Sequence, residues 1–324
     1  MTSLEVINFG CCESLIEIPS SIQCLKRLCS LYLNGCEKLR SLPQMPRGIK
    51  YLELAFSGVE EWSPSSIQFL DNLLVLNIAH CENLRSLPRI IYCNTFVRIH
   101  ISFCPNLIMA PQIMKSSEVL PSSNIGIFEL NLEGCKMLNS LPNSICELKC
   151  LETLNLSGCS NLEKLPPLYG LCSLKKLYLD GTSMEELPSS IGCLSSLVIL
   201  HLNGCKMLNG LPNNICELKC LETLNLSGCS NLEKLPPLYG LCSLKKLYLD
   251  DTPMEELPSS IGCLSSLVIL NLNRCEKLKS LPNSICELKR LDTLHLRGCS
   301  NLEKLPPLYG LCSLKELYLD GMHS

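Results

Sequence analysis

A nine-residue pattern that recurs along the whole chain constrains its fold more than any other feature. The pattern is Leu-x-x-Leu-x-Leu-x-x-Cys, and its clearest copy runs from Leu151 to Cys159. One copy is too short to bury its own leucines. Copies that stack side by side bury them together in one continuous core. The pattern therefore predicts an elongated repeat protein rather than a set of globular domains.

The copies follow one another at a regular interval. Steps between successive copies are 21 to 24 residues, apart from one step of 31 residues. This spacing is that of leucine-rich repeats, in which a short β-strand is followed by a return segment. We predict an α/β leucine-rich-repeat solenoid, curved like a horseshoe, with a parallel β-sheet on the concave face and a convex side that is irregular or briefly helical. The fourteen repeats begin at Leu4, Leu28, Ile49, Leu73, Phe96, Ile127, Leu151, Leu174, Leu197, Leu221, Leu244, Leu267, Leu291 and Leu314.

A longer period is superimposed on the repeats. The 70 residues from Cys135 to Gly204 recur from Cys205 to Arg274, and a third copy begins at Cys275. Two copies this similar must fold alike and present nearly the same surface. Six pairs of positions differ between them: Ser140 and Gly210, Ser144 and Asn214, Gly181 and Asp251, Ser183 and Pro253, His201 and Asn271, and Gly204 and Arg274.

The longer period divides the chain into two regions. Residues 127–324 carry the near-identical three-repeat cassette, and residues 1–126 carry about five diverged repeats with a longer loop near 105–126. Solenoids are closed at their ends by repeats with a polar outer face. Neither end of this sequence has such a cap, so we expect a piece of a longer protein or a truncated gene product.

The cysteines are placed as structural thiols. A chain with 24 cysteines suggests a disulfide-bonded secreted protein, but side chains at equivalent positions of neighbouring repeats run parallel, about 5 Å apart, without the facing geometry of a disulfide. Most of the others, such as Cys172, Cys242 and Cys312, are expected on the return segment beside core leucines. Ten occupy the last pattern position, where a small side chain turns inward beneath the strand: Cys12, Cys36, Cys81, Cys104, Cys135, Cys159, Cys205, Cys229, Cys275 and Cys299.

Charge and hydropathy argue against several classes of function. The net charge of −3 gives no bias toward nucleic acid or anionic membranes. The first residues have no basic region or long apolar run, so they are not a secretory signal. No stretch approaches the roughly 18 apolar residues of a membrane helix. We expect an intracellular protein of the cytoplasm, or of the nucleus, that binds neither nucleic acid nor membrane.

No motif points to catalysis, a cofactor or a metal. Cys146 and Cys150 are spaced like the start of a zinc site, but no histidine pair accompanies them, and the third copy has Arg290 at the second position. The sequence contains no phosphate loop, dinucleotide-binding fingerprint, nucleophile elbow or metalloprotease helix. We therefore expect no enzyme and no cofactor.

The return segments carry proline in two different roles. Pro188 and Ser189 suit the start of a short helical turn, whereas Pro166 and Pro167 forbid a helix around them. The repeat that starts at Phe96 has about eight extra residues around positions 111–123, which predict a surface loop.

The open face of the predicted sheet is the candidate binding surface. Strand alternation turns the fourth and sixth pattern positions into the core and sends the third, fifth and seventh to the concave face. Tyrosines recur there beside lysine and aspartate, and tyrosine and arginine commonly anchor protein interfaces. We predict partner binding by Tyr178, Tyr248, Tyr318, Lys176, Lys246, Asp180, Asp250, His201, Asn271, His295, Arg297, Asn155 and Asn225.

Three segments carry a family resemblance: Gly158–Pro166, Leu187–Gly192 and Ser41–Leu54. They closely resemble plant intracellular immune receptors, the TIR–nucleotide-binding–leucine-rich-repeat disease-resistance proteins, and the likeness covers the whole chain. In that family the repeats recognise pathogen effectors and restrain the nucleotide-binding module. The resemblance implies a protein partner, either an effector or a host nucleotide-binding module. It transfers only the recognition role, because the family's TIR enzyme and nucleotide-binding loop have no counterpart in these residues.

A free-standing intracellular scaffold is the alternative. Ras-group leucine-rich-repeat proteins share the pattern Leu-Pro-x-x-Ile-Gly-x-Leu, but they favour Asn where this chain has its series of cysteines. A substrate-reading F-box partner and a repeat-fused ligase are further possibilities. No F-box precedes the repeats.

Overall fold

Each described copy of the pattern forms one short β-strand in the computed structural model. Contacts divide the chain into two units, Met1–Leu162 and Glu163–Ser324, each built from stacked repeats. Within the described residues every strand pairing is parallel and no α-helix is present. The predicted leucine-rich-repeat solenoid is therefore confirmed. The structure describes residues 3–62, 72–87, 90–92, 97–114 and 126–320.

The unit Met1–Leu162 builds its main sheet from one strand per repeat. Its strands are β1 (Val6–Asn8), β2 (Ser30–Tyr32), β3 (Ser41–Leu42), β4 (Tyr51–Glu53), β5 (Glu61–Trp62), β6 (Val75–Asn77), β7 (Ile90–Tyr92), β8 (Val97–His100), β9 (Gln112–Met114), β10 (Ile127–Asn131) and β11 (Thr153–Asn155). The main sheet has the order β1-β2-β4-β6-β8-β10-β11. Strands β3 and β5, and strands β7 and β9, form separate parallel pairs on the return segments.

The unit Glu163–Ser324 is more regular. Its seven strands are β12 (Lys176–Tyr178), β13 (Ile199–His201), β14 (Thr223–Asn225), β15 (Lys246–Tyr248), β16 (Ile269–Asn271), β17 (Thr293–His295) and β18 (Glu316–Tyr318). They pair in chain order, and each pairing joins equivalent pattern positions, as between Leu247 and Leu270. Neighbouring strands of the sheet are therefore consecutive in the chain, each joined to the next by a return segment, and the rows of side chains run straight from repeat to repeat.

The core contains the fourth and sixth pattern positions, as alternation predicts. In the repeat that contains β11 these are Leu154 and Leu156, and in the repeat that contains β15 they are Leu247 and Leu249, all fully buried. Burying one leucine stabilises the fold by about 2 kcal/mol. Because each leucine packs on its counterparts in adjacent repeats, this stabilisation depends on stacking.

The cysteine series forms a ladder beneath the strands. Nine of the ten cysteines at the last pattern position are buried. Each thiol lies against the backbone carbonyl that follows the strand of the preceding repeat, as from Cys104 Sγ to Ile78 O at 2.9 Å and from Cys229 Sγ to Leu202 O at 3.1 Å. The prediction was wrong for Cys12, which is exposed. No earlier repeat packs against it in the described chain.

Two further features of the cysteine pattern differ from the prediction. Cys172, Cys242 and Cys312 do lie on the return segment after a buried leucine, but their thiols are exposed rather than packed in the core. In addition, hydroxyl residues take the place of cysteine in the ladder at three repeats. Thr182 Oγ1 donates a hydrogen bond to Leu179 O at 2.9 Å, and Thr252 Oγ1 does the same to Leu249 O at 2.6 Å. Ser57 is the third.

Most described return segments are extended, and six contain one turn of 3₁₀ helix. Each of these helices follows a proline, and Pro188 has a φ of −63° that already matches a helical entry. The segment at Pro166 and Pro167 is not helical. Both predictions are confirmed. The predicted loop lies largely outside the described residues, which omit 115–125. The 3₁₀ helices are Ser20–Cys24, Asn143–Glu147, Ser189–Cys193, Asn213–Glu217, Ser259–Cys263 and Asn283–Glu287.

Among the described residues, no helix has the length and apolar character needed to cross a lipid bilayer.

Candidate protein-binding surface

The fifth pattern positions form one continuous row on the open face of the unit Glu163–Ser324. The register joins each residue of the row to its neighbour on the next strand. All seven side chains are partly exposed, because the core lies on the opposite side of the sheet. With strands about 4.8 Å apart, the row is roughly 29 Å long. We call this row the central row; it consists of Tyr178, His201, Asn225, Tyr248, Asn271, His295 and Tyr318.

Tyr178 is held by the strand that follows it. The ring of His201 meets it edge-on, with the ring centroids 5.2 Å apart. Asp180 lies 3.9 Å from His201 Nδ1 and accepts a hydrogen bond from the backbone N–H of Asn203 at 2.7 Å. Partial burial, and then the negative charge of Asp180, raise the pKa of Tyr178. Its hydroxyl therefore stays protonated and can donate a hydrogen bond.

Tyr248 lies between two asparagines in the central row, Asn225 and Asn271. Asp250 organises this part of the surface, because its Oδ1 accepts hydrogen bonds from Ser227 Oγ at 2.7 Å and from Asn271 Nδ2 at 2.9 Å. In the described part of the chain, no ring contacts Tyr248. Its neighbours in the central row are therefore amides rather than aromatic groups.

Tyr318 has the most crowded surroundings of the three tyrosines. His295 stacks on it with a centroid separation of 4.8 Å, and the guanidinium of Arg297 lies 4.5 Å from the ring centroid. Arg297 also pairs with Asp320 at 2.9 Å. The Tyr318 hydroxyl donates a hydrogen bond to Glu316 at 3.1 Å, and this bond is the main reason that the pKa of Tyr318 is raised.

The two predicted lysines stand at the edge of the central row. Lys176 and Lys246 occupy the third pattern position of β12 and β15, and both are exposed. The third copy of the cassette has Glu316 at the same place, which reverses the charge beside Tyr318. The three tyrosines therefore share a position but not an electrostatic environment.

Asn155 is the one predicted residue that belongs to the other unit. It lies at the fifth position of β11, opposite Asn131 of β10. Its side-chain amide donates to Glu133 at 3.1 Å, and its Oδ1 accepts from the Ser157 backbone N–H at 3.0 Å. Asn225 makes the same turn contact with Ser227 at 2.9 Å. These asparagines are thus already hydrogen-bonded to the protein.

Two of the cassette differences create an ion pair that was not predicted from the sequence. Arg274 donates to Asp251 at 2.5 Å where the first copy has Gly204 and Gly181. Both residues have a left-handed φ, +58° for Asp251 and +57° for Arg274. The sequence signal was available, because both charges enter in the same copy, one repeat apart. Arg274 is consequently paired within the chain.

The most exposed tyrosines among the described residues were not predicted from the sequence either. Tyr169, Tyr239 and Tyr309 lie on return segments in the motif Pro-Leu-Tyr-Gly-Leu-Cys, with exposed fractions of 64%, 63% and 85%. They recur at the same 70-residue interval as the central-row tyrosines. Their apolar neighbours made the segment look like core.

The open face has the composition of a surface that binds polypeptides. It combines aromatic rings, amides that can donate and accept, and charges of both signs, and these are the groups from which protein interfaces are built. Across the described ranges, no three His, Cys, Asp or Glu side chains come together in a way that could hold a metal ion.

The repeats match two family models and several known proteins. A family model described as "Leucine-rich repeat region" matches residues 219–324, and one described as "Leucine Rich Repeat" matches residues 150–172. The chain is 42% identical over 179 residues to disease resistance protein RPS4B of Arabidopsis thaliana, covering 55% of this chain and 15% of that protein. It is 34% identical over 334 residues to TMV resistance protein N of Nicotiana glutinosa, covering 99% of this chain and 24% of that protein. The chain thus spans only a small part of the length of either relative.

Solved structures show the same fold. A structure described as the Toll–Spatzle complex of Drosophila matches 86% of this chain and 37% of its own chain, with a TM-score of 0.52 and 19% identity. The crystal structure of a TDR receptor matches 88% of this chain and 47% of its own chain, with a TM-score of 0.51 and 23% identity. The resemblance drawn from the sequence is confirmed by the named relatives. The chain is a leucine-rich-repeat solenoid whose repeats are similar to those of plant disease resistance proteins.

Proposed function

We propose that this chain is the protein-recognition region of a plant intracellular immune receptor and that it binds through the open face of the unit Glu163–Ser324. The observation that carries the proposal is the central row, with a tyrosine at every third strand. Truncating an aromatic anchor at the centre of an interface commonly costs about 2 kcal/mol or more. A row of three offers a partner several such anchors in line.

The surroundings of the row favour binding because they are already ordered. Asp250 is fixed by Ser227 and Asn271, and Tyr178 is packed against His201. Side chains that are held before binding lose less conformational entropy when a partner arrives. The open face therefore offers rigid anchors rather than a set of mobile polar groups.

The partner in this proposal is a pathogen effector or a host nucleotide-binding module. The relatives support this, since those named above are disease resistance proteins. The chain contributes binding rather than catalysis, without a cofactor, and it acts in the cytoplasm or the nucleus. No observation favours the free-standing scaffold over this receptor role.

Site-specific photo-crosslinking in plant cells tests the proposal. The photoreactive amino acid p-benzoylphenylalanine replaces Tyr178, Tyr248 or Tyr318, one at a time, in the full chain. We expect irradiation to link all three variants to the same protein, identified by mass spectrometry, because the row forms a single face.

The matched controls are Tyr169, Tyr239 and Tyr309. They are the same residue type in the same cassette and are well exposed, but they lie on the return segments. Crosslinks that form at the control positions and not on the central row would contradict the proposal.

A further inference from the structure

Three aromatic side chains of the unit Met1–Leu162, none of them in the central row, form a stacked array. The rings of Phe56 and His80 are 4.6 Å apart and 3° from parallel, and those of His80 and Phe103 are 4.8 Å apart and 9° from parallel. They come from three successive repeats, one ring from each. We call them the aromatic stack.

The aromatic stack sits on backbone that normally requires glycine. Phe56, His80 and Phe103 have φ values of +58°, +56° and +54°, whereas the flanking repeats have Gly35 and Gly134 at this turn, with φ values of +72° and +70°. A left-handed conformation is unfavourable for residues with a side chain, and most of all for bulky ones. Three aromatic residues in succession therefore accept strained backbone in order to present their rings.

The two ends of the aromatic stack differ. At one end Phe103 lies over Gly134, so closely that a Cβ at Gly134 would be 2.6 Å from Phe103 Cδ1. At the other end, the repeat that precedes Phe56 has Gly35 at this turn, and glycine supplies no ring. Phe56 is accordingly the more exposed of the two phenylalanines, at 59% compared with 42% for Phe103. One flat aromatic face is left open.

A pocket beside Phe56 has two carboxylates in its lining. Phe56 and His80 line a surface pocket of about 400 Å³ together with Glu37 and Glu82. Glu37 comes two residues after Gly35, so it belongs to the repeat that the open face of Phe56 meets. Both glutamates are exposed, and neither forms an ion pair with another residue of the described chain. The one cation of the lining, Arg40, is already paired with a glutamate outside the pocket.

A flat aromatic face beside carboxylates matches one side chain in particular. The guanidinium of arginine stacks on rings and forms hydrogen bonds to carboxylates at the same time, which the compact ammonium of lysine does poorly. This chain makes that combination twice within itself. Arg297 lies over Tyr318, and Arg98 lies 4.9 Å from the centroid of Phe128, and each also pairs with a neighbouring carboxylate.

We propose that Phe56, Glu37 and Glu82 form a binding site for an arginine side chain of a partner protein. The guanidinium stacks on the open face of Phe56 over Gly35 and donates hydrogen bonds to Glu37, which belongs to the same repeat as Gly35. Glu82, in the repeat of His80, adds negative charge to the pocket. This site shares no residue with the central row, so the test of this site is independent of the test of the function proposed above.

Fluorescence anisotropy with three labelled peptides tests the site on the full chain. One short peptide repeats Gly-Ser-Arg, the second has lysine in place of arginine, and the third has citrulline, which is planar but uncharged. We expect saturable binding of the arginine peptide, weaker binding of the lysine peptide and none of the citrulline peptide. Phe56→Gly should weaken the arginine peptide about tenfold. Glycine suits the left-handed turn, so this variant should fold.

Two further variants complete the test. Glu37→Gln combined with Glu82→Gln should also weaken the arginine peptide and reduce the salt dependence of its binding. Tyr239→Ala, which removes an exposed ring from the other unit, should change nothing. Equal binding of the arginine and lysine peptides, or an unchanged affinity of Phe56→Gly, would overturn the proposal.

Discussion

At the scale of the residue, the cysteine ladder shows how a polar group is accommodated in an apolar core. Each buried thiol lies beside a backbone carbonyl of the preceding repeat, as Cys159 does with Leu132 at 3.1 Å. For four of these thiols, desolvation is the largest influence on the pKa. Burial raises the pKa of Cys135 to about 11 and those of Cys159, Cys229 and Cys299 to about 12. These thiols are structural, and they resist both ionisation and alkylation.

This burial predicts that the protein loses stability in alkaline solution. A thiol in the unfolded chain ionises near pH 9, whereas the thiols of Cys135, Cys159, Cys229 and Cys299 hold their protons to about pH 11 or 12. Between these limits the unfolded state binds fewer protons than the native state. The free energy of unfolding therefore falls as pH rises, by up to about 1.4 kcal/mol per pH unit for each thiol. Urea unfolding from pH 8 upward measures the slope.

Cys159→Ala combined with Cys229→Ala is the control for the alkaline prediction. It removes two of the titrating groups and should flatten the slope, while tyrosines and lysines that ionise in the same range remain. If the slope of this variant equals that of the parent chain, the buried thiols are not responsible for the loss of stability.

At the scale of the element, the turn after each strand places the strictest requirement on backbone conformation within the repeat. Thirteen described turns contain a residue with left-handed φ; seven of these residues are glycine and six are not. The six exceptions are informative. Phe56, His80 and Phe103 form the aromatic stack, and Asp251 and Arg274 form an ion pair. Five of the six side chains placed on this turn thus contact the turn side chain of a neighbouring repeat.

Two glycine substitutions distinguish the stability cost of a left-handed backbone from the stability cost of a steric clash. Gly204 has a φ of +68°, and a Cβ added there would meet no atom within 4 Å, so Gly204→Ala should cost only about 1 kcal/mol of stability. A Cβ at Gly240 would lie 1.8 Å from the carbonyl oxygen of Cys216, so Gly240→Ala should cost about 3 kcal/mol or more. Urea unfolding of the two variants checks the difference. Similar losses of stability in the two variants would show that the close approach of the repeats does not restrict which residue fits at position 240.

The sequence predicted the elements well because local spacing encodes them. Leucine positions give the strands and the core, and Pro188 gives the start of a 3₁₀ turn. Contacts between repeats were harder to predict. The stacking of Phe56 on His80 joins residues 24 positions apart in sequence, and it depends on a turn conformation that the leucine pattern does not specify. Exposure on the return segments was missed for the same reason, as at Tyr239 and Cys242.

At the scale of the whole molecule, duplication of the cassette repeats the same open face, and a few substitutions make the copies differ from one another. Tyr178, Tyr248 and Tyr318 occupy the same position in three copies, and they meet histidine, asparagine and an arginine–histidine pair respectively. A partner that bound only the shared features could shift along the face by one cassette. His201 and Asn271 are the difference in the central row that distinguishes the first copy from the second.

We expect the tyrosines of the central row to carry most of the binding energy for a protein partner. Isothermal titration of the crosslinked partner against alanine variants of the full chain tests this expectation most directly. Tyr178→Ala and Tyr248→Ala should each raise Kd about thirtyfold, which corresponds to about 2 kcal/mol. Tyr169→Ala and Tyr239→Ala, equivalent truncations on the return segments, should leave Kd unchanged. If the return-segment variants weaken binding and the central-row variants do not, the open face is only a solvated sheet and the account is wrong.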